Sequence, residues 1–213
     1  MPGPIPLPTP IIHMTHVDNL PSILARGGLS STAALNAAGM AHTDIAYNSI
    51  QGQRAAKVVP CGPGGSLHDY VPFYFTRRSP MLYTINRGNV PCAGGQENII
   101  HLRLTAQRAA ALGLGFAFTD GHGIMSYTDF YDNLDDLDQV DWDVINAIYW
   151  HDTAEDGDRK RRKQAEFLIR DHCPWSAISH IVVRSQARAA QVAQIMAHQS
   201  HQPQIAVRPN WYY

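Results

Sequence analysis

Short apolar runs scattered at uneven intervals constrain this 213-residue chain more than any other feature. Ile11-Ile12, Val71-Pro72-Phe73-Tyr74-Phe75-Thr76, Ile99-Ile100-His101-Leu102-Arg103-Leu104, 178–184 and 205–208 all read as strands, and 81–85 as a further candidate. Helical patterns lie between them: 32–38 closed by Gly39, 105–112 closed by Gly113, and 187–198. A fourth, 140–150, has Val140, Val144, Ile145 and Ile148 at helical spacing. Segments 41–53 and 126–137 read as irregular chain and turns. Strands and helices alternate without a regular βαβ repeat, which predicts an α+β fold rather than a doubly wound sheet. The length fits a single domain over 1–213 that opens on a loosely packed, proline-rich arm over 1–10, MPGPIPLPTP.

Composition narrows the classes. No run of about 18 apolar residues is present, so no membrane span is expected, and the opening lacks the basic and apolar regions of a signal peptide. Cys61, Cys92 and Cys173 are odd in number and far apart, which favours a reducing, cytoplasmic setting over a disulfide scaffold. Eleven histidines raise the question of zinc, but there is no H-E-x-x-H and no paired cysteines, so no metal is expected. The net charge of −1 hides a division. Residues 109–158 hold twelve acids and no Lys or Arg, while the rest hold seventeen basic residues against six acids. A solvated face accounts for most of the acidic stretch. The basic remainder, with Arg77-Arg78 and the run Arg159-Lys160-Arg161-Arg162-Lys163, suits a phosphate backbone.

Directly after that run stands Gln164-Ala165-Glu166-Phe167-Leu168-Ile169. If it is extended, Gln164, Glu166 and Leu168 share one face and Ala165, Phe167 and Ile169 the other. An amide and a carboxylate would then sit side by side at the mouth of a strand. A Q-x-E pair so arranged is the signature of enzymes that split NAD at the nicotinamide bond; the bland alternative is an amphipathic basic helix. Near the N-terminus, the Ile11-Ile12 strand carries His13 and Thr15 on one face. Asp18 or Asn19 then caps a helix, Pro21 suits its first turn and Gly27-Gly28 end it.

The segments HMTHVDNLPSILARGGLSS, SIQGQRAAKVV, VPFYFTRRSPMLYTI and RRKQAEFLI, in this order and spacing, resemble the DarT family of DNA ADP-ribosyltransferase toxins over nearly the whole chain. The resemblance implies a split-barrel ADP-ribosyltransferase fold and transfer of ADP-ribose from NAD to a base in single-stranded DNA. Thymidine leads among the bases, with guanine, RNA or protein acceptors, or a non-catalytic DNA-binding module, as alternatives. It also implies a macrodomain antitoxin that removes the modification.

Roles follow from the resemblance and the chemistry together. Splitting NAD develops positive charge on the ribose, so Glu166 is the expected catalytic carboxylate, supported by Gln164. His13, Met14 and Thr15 would hold NAD, with Ser22 and Ser30 as further ribose or phosphate contacts. The resemblance gives Arg54 a part in removing a proton from the base. A guanidinium is a poor base, so binding NAD phosphate or stabilising the deprotonated base suits it better. Tyr47, Tyr74 and Tyr83 are candidates to stack on nicotinamide or on unpaired bases. Arg77, Arg78, Lys160 and Arg162 are candidates for phosphates, and His122 for a loop tip that reaches the substrate.

Overall fold

The computed structural model describes residues 3–40, 48–90 and 92–213. Its elements begin with β1 (Pro10–His16), α1 (Leu20–Ala25), β2 (Gly28–Ser30), α2 (Thr32–Ala37), α3 (Asn48–Ala56) and β3 (Tyr70–Tyr74). Then come α4 (Pro80–Asn86), β4 (Ile99–Thr105), α5 (Ala106–Ala111), β5 (Phe116–Thr119), β6 (Phe130–Tyr131) and α6 (Trp142–Asn146). The last are α7 (Arg159–Arg162), β7 (Glu166–Arg170), β8 (His172–Pro174), β9 (His180–Val183), α8 (Gln186–Met196) and β10 (Gln204–Val207). Among the described residues, eight strands form one mixed sheet in the order β10-β9-β4-β1-β3-β7-β5-β6, parallel only between β9 and β10, and β2 and β8 form a separate ribbon. The fold is α+β, as the patterning predicts.

One seam in this sheet is loose. β1 pairs with β4 along all seven of its residues but meets β3 in register only at Ile12 opposite Tyr74. Pro72 supplies the reason: it has no N–H, so β3 cannot continue the ladder towards β1. The His13 ring spans the break, with Nδ1 2.8 Å from the Pro72 carbonyl. The sheet splits here, and a cleft opens along the split.

Strand β7 borders the same cleft. Its alternation sends Phe167 and Ile169 into the main core with Phe73, Phe75, Phe118 and Trp142, while Leu168 joins a second cluster on the opposite face. Phe167 stacks on Phe116 at 5.0 Å and meets Phe75 edge-on at 6.3 Å. Burying such a ring stabilises the fold by about 1.5–3 kcal/mol. That packing fixes the register, because a one-residue slip would drive Glu166 into hydrocarbon.

Several expectations need correction. Residues 81–85 belong to helix α4, because Ser79 caps the Leu82 N–H at 3.1 Å and Pro80 occupies the first turn. Of the segment 41–53 expected to be irregular, 48–53 lies in α3, while 41–47, with Tyr47, falls outside the described residues. The polarity of α3 reflects one face turned to the cleft through Ile50, Gln51 and Arg54, not a lack of order. The helix expected over 140–150 ends at Asn146. Lys163 closes it, its buried ammonium donating to the carbonyls of Val144, Ile145 and Ala147 at 3.2, 2.7 and 2.8 Å. The proline-rich arm is not loose throughout, since Ile5 packs on the core and Thr9 is buried, its N–H donating to Gln107 at 2.8 Å. No helix among the described residues is long and apolar enough to cross a membrane.

Candidate active site

The split sheet encloses an inner chamber of about 170 Å³, lined by β1, α1, α3, β3 and β7. His13, Met14, Thr15 and Ser30 all line it. Burial pulls the His13 pKa down to about 4, so the ring is neutral at physiological pH. With Nδ1–H donating to Pro72, its Nε2 remains as an acceptor. Thr15 Oγ1 accepts from Asn19 at 3.0 Å. Ser22 does not line the chamber; its hydroxyl accepts a hydrogen bond from Arg26, which does. Arg26, unforeseen in the sequence, has a buried Nε with no partner among the described residues.

Glu166 lies at the base of this chamber, 1% exposed. Arg54 Nη1 donates to both of its oxygens, at 3.1 and 2.8 Å, and the Gly123 N–H reaches Oε1 at 3.3 Å. The Glu166 N–H donates to Thr119 Oγ1 at 2.9 Å, and that hydroxyl donates to the Gly121 carbonyl at 2.6 Å. The carboxylate is therefore fixed from the front by a cation and from behind by the loop that follows β5. Arg54 is itself buried, yet its Nη2 has no hydrogen-bond partner among the described residues. Across the strand pair from Glu166 stands Tyr74, whose hydroxyl is pushed well up by burial and then by the Glu166 charge, so it stays protonated. Burial holds His122 below the ordinary histidine range, partly offset by Glu166.

An outer chamber of about 470 Å³ shares Ile50, Tyr74, Met81 and His122 with the inner one and adds Tyr127, Lys160 and Gln164. Gln164 is the main correction to the local reading. It sits in a turn before β7, not beside Glu166 on the strand, and its Nε2 donates to the Lys160 carbonyl at 3.0 Å.

Most of the basic run is also spent internally. Arg161 Nη1 grips both oxygens of Asp120 at 2.9 Å, and its Nε and Nη2 hold Asp158 at 2.9 and 2.7 Å. Arg162, expected to meet phosphate, is bound by Asp141 and Asp156. Burial pulls the Lys163 pKa down to about 8, with Arg77, Arg159 and Arg78 adding repulsion. Lys160 remains exposed at the outer chamber and Arg77 is exposed just after β3, neither in an ion pair among the described residues. Arg78 lies over the Tyr213 ring at 5.4 Å. Tyr83 packs edge-on against Trp150, His151 and Tyr213, which removes it from the stacking candidates. Among the described residues no cluster of three or more His, Cys, Asp or Glu could hold a metal.

A buried carboxylate in an inner chamber that shares a wall with an outer one describes an enzyme with separate places for a donor and an acceptor, rather than a charged binding surface. Comparison with known proteins makes the assignment specific. Residues 12–213 match the family model described as ssDNA thymidine ADP-ribosyltransferase, DarT. The DNA ADP-ribosyl transferase of Thermus sp. (strain 2.9) is 45% identical over 210 residues, 98% of each chain. The structure of Thermus sp. 2.9 DarT in complex with ADP-ribosylated ssDNA superposes with a TM-score of 0.94 at 43% identity, covering all of both chains. Its complex with NAD+ gives 0.89 at 42%, covering 99% of this chain and 100% of that one. A Thermosipho africanus fusion of DNA ADP-ribosyl transferase and DNA ADP-ribosyl glycohydrolase is 28% identical over 162 residues, 75% of this chain and 38% of the fusion. The chain belongs to the DarT family of DNA ADP-ribosyltransferases.

Proposed function

We propose that this protein transfers ADP-ribose from NAD to the thymine of thymidine in single-stranded DNA, with NAD in the inner chamber and DNA entering through the outer one. The observation that carries the reading is the Glu166 carboxylate, buried at the base of the inner chamber and held by Arg54, with Tyr74 and His122 forming the wall shared with the outer chamber. The inner chamber offers anchor points for an anionic ligand such as NAD: Arg54 Nη2 and Arg26 Nε are buried donors without partners among the described residues, which such a ligand would satisfy.

NAD, when bound, supplies an ADP-ribosyl group whose bond to nicotinamide breaks as positive charge develops on the ribose. Glu166 stabilises that charge through a preorganised carboxylate that needs no rearrangement. His13 accepts a hydrogen bond at Nε2, Thr15 offers its hydroxyl, and the Met14 backbone and Ser30 complete the grip. Ser22 acts through Arg26. The acceptor thymine must lose its ring N–H proton as the new bond forms. Neutral His122, on the wall between the chambers, takes that proton, and Arg54 steadies the negative charge left on the base. Tyr74 stacks on a substrate ring, while Lys160, Arg77 and Arg78 meet phosphates.

The reading extends to the cell. The thymidine mark calls for a hydrolase that removes it, and the Thermosipho fusion supports a macrodomain antitoxin as partner. Three unpaired cysteines, together with NAD and DNA as substrates, support action in the cytoplasm. Incubation with labelled NAD and, in turn, single-stranded DNA, the same sequence as a duplex, RNA and protein tests the proposal. Mass spectrometry should find ADP-ribose on thymidine, with the single strand far ahead of the duplex, because pulling a base from a duplex costs a few kcal/mol. Equal labelling of RNA or protein overturns it.

A further inference from the structure

We infer that Tyr127 is a stacking platform for the nucleobase next to the target thymine, so that it helps choose which DNA sequences are modified. The inference rests on the DNA reading of the cleft and deepens it. Tyr127 stands at the rim of the outer chamber with 59% of its surface exposed. Its ring meets the Arg161 guanidinium at 5.2 Å. That guanidinium cannot swing away, because Asp120 and Asp158 hold it by two oxygens each. A ring backed by a fixed cation and open to solvent is already ordered for a base to settle on, so little side-chain entropy is lost on binding.

Position gives the platform its role. The outer chamber shares His122 and Tyr74 with the inner one, so a thymine brought to Glu166 leaves its neighbour in the outer chamber. Gln164 lines the same space; with its Nε2 donating to Lys160, its amide oxygen remains to meet the edge of a stacked base. Lys160 supplies the charge for the adjoining phosphate. Asp152 and Asp158 also line the chamber, but Asp152 accepts from the Lys160 N–H at 2.8 Å and Asp158 is occupied by Arg161. Asp158 is thus paired with Arg161, while the Lys160 ammonium, in no ion pair among the described residues, stays available to a phosphate.

The test uses the full chain as Tyr127→Ala, Tyr127→Phe and Tyr127→Trp, with single-stranded oligonucleotides carrying one thymidine. A second oligonucleotide set carries an abasic site on either side of that thymidine. Tyr127→Ala should lower kcat/KM for DNA about tenfold, equivalent to about 1.4 kcal/mol, and leave KM for NAD where it was. Tyr127→Phe and Tyr127→Trp should restore most of the loss, which a merely structural tyrosine would not predict. One abasic position should cost the wild type a similar factor and cost Tyr127→Ala nothing further. Wild-type rates in Tyr127→Ala, or full additivity of the two losses, overturn the platform. Failure of the DNA reading itself would look different: no labelled DNA from the wild type at all.

Discussion

Replacing Glu166 by Gln keeps the shape and removes the charge, and under the proposed function two separable losses are expected. The first is catalytic. A fixed charge aimed at the developing cation, once removed, should cut transfer by at least about 10²–10³. The second is stability. Arg54 is 9% exposed and Glu166 1%, so the variant leaves a guanidinium buried without its counter-ion. Breaking such a pair costs about 3–5 kcal/mol, and the retained amide oxygen places this change near the lower end. In a chain of this size that corresponds to a Tm lower by about 6–12 °C. The double variant Glu166→Met with Arg54→Met removes both charges, so its Tm should climb back towards the wild type while transfer stays absent. Calorimetry and labelling from NAD onto single-stranded DNA read the two effects independently. Near-normal transfer by Glu166→Gln, or activity that returns with Tm in the double variant, refutes the reasoning.

Acid should unfold the protein through two histidines. His13 and His101 are buried and neutral, with pKa values of about 4 and about 3 against 6.5 unperturbed, so their stabilisation is complete above pH 6.5 and is lost as pH falls through those values; a Tm that stays flat from pH 7 to pH 4 contradicts this. Gly121→Ala would set a Cβ 2.3 Å from Arg161 Nη1 and 2.9 Å from its Cγ, displacing the guanidinium that ties down the His122 loop. It should cost about 1–3 kcal/mol of stability and lower kcat more than it raises KM for NAD, as steady-state kinetics would show. Among the basic residues, Lys160→Ala with Arg77→Ala should flatten the salt dependence of DNA binding by roughly 0.7 per charge. Arg162→Ala should chiefly lower Tm, and a salt slope that responds to Arg162 instead would return it to the phosphate contacts.

The parts of this molecule legible in the sequence are those governed by local rules. The strands of the central sheet carry their own alternation and branched side chains, and α2, α5 and α8 carry their caps at Ser31, Thr105 and Ser185. Glu166 could be placed on the cleft side of β7 because Phe167 and Ile169 demand the core. Where the reading failed, a distant partner decided. The basic run resembles a DNA-binding patch until Asp120, Asp141, Asp156 and Asp158 fold against it, and the segregated charges of the sequence become ion pairs. Gln164 left the strand because the backbone of α7 continues into a turn that hydrogen-bonds its side chain. Arg26 and Tyr127 carried no local signal, since both owe their place to loops that converge only in three dimensions.

The placement of β7 also bears on how such a chain is made. β7 is hydrogen-bonded between β3 and β5, although it follows both in sequence, and the Arg54–Glu166 contact spans 112 positions. During translation the ribosome releases His13, Arg54, Tyr74 and His122 before the carboxylate they surround. Until β7 has emerged and slotted into the gap, the growing polypeptide has no Glu166 to work with and no central strand to close its sheet. A chain that stops before β7 therefore lacks both Glu166 and the strand that joins β3 to β5.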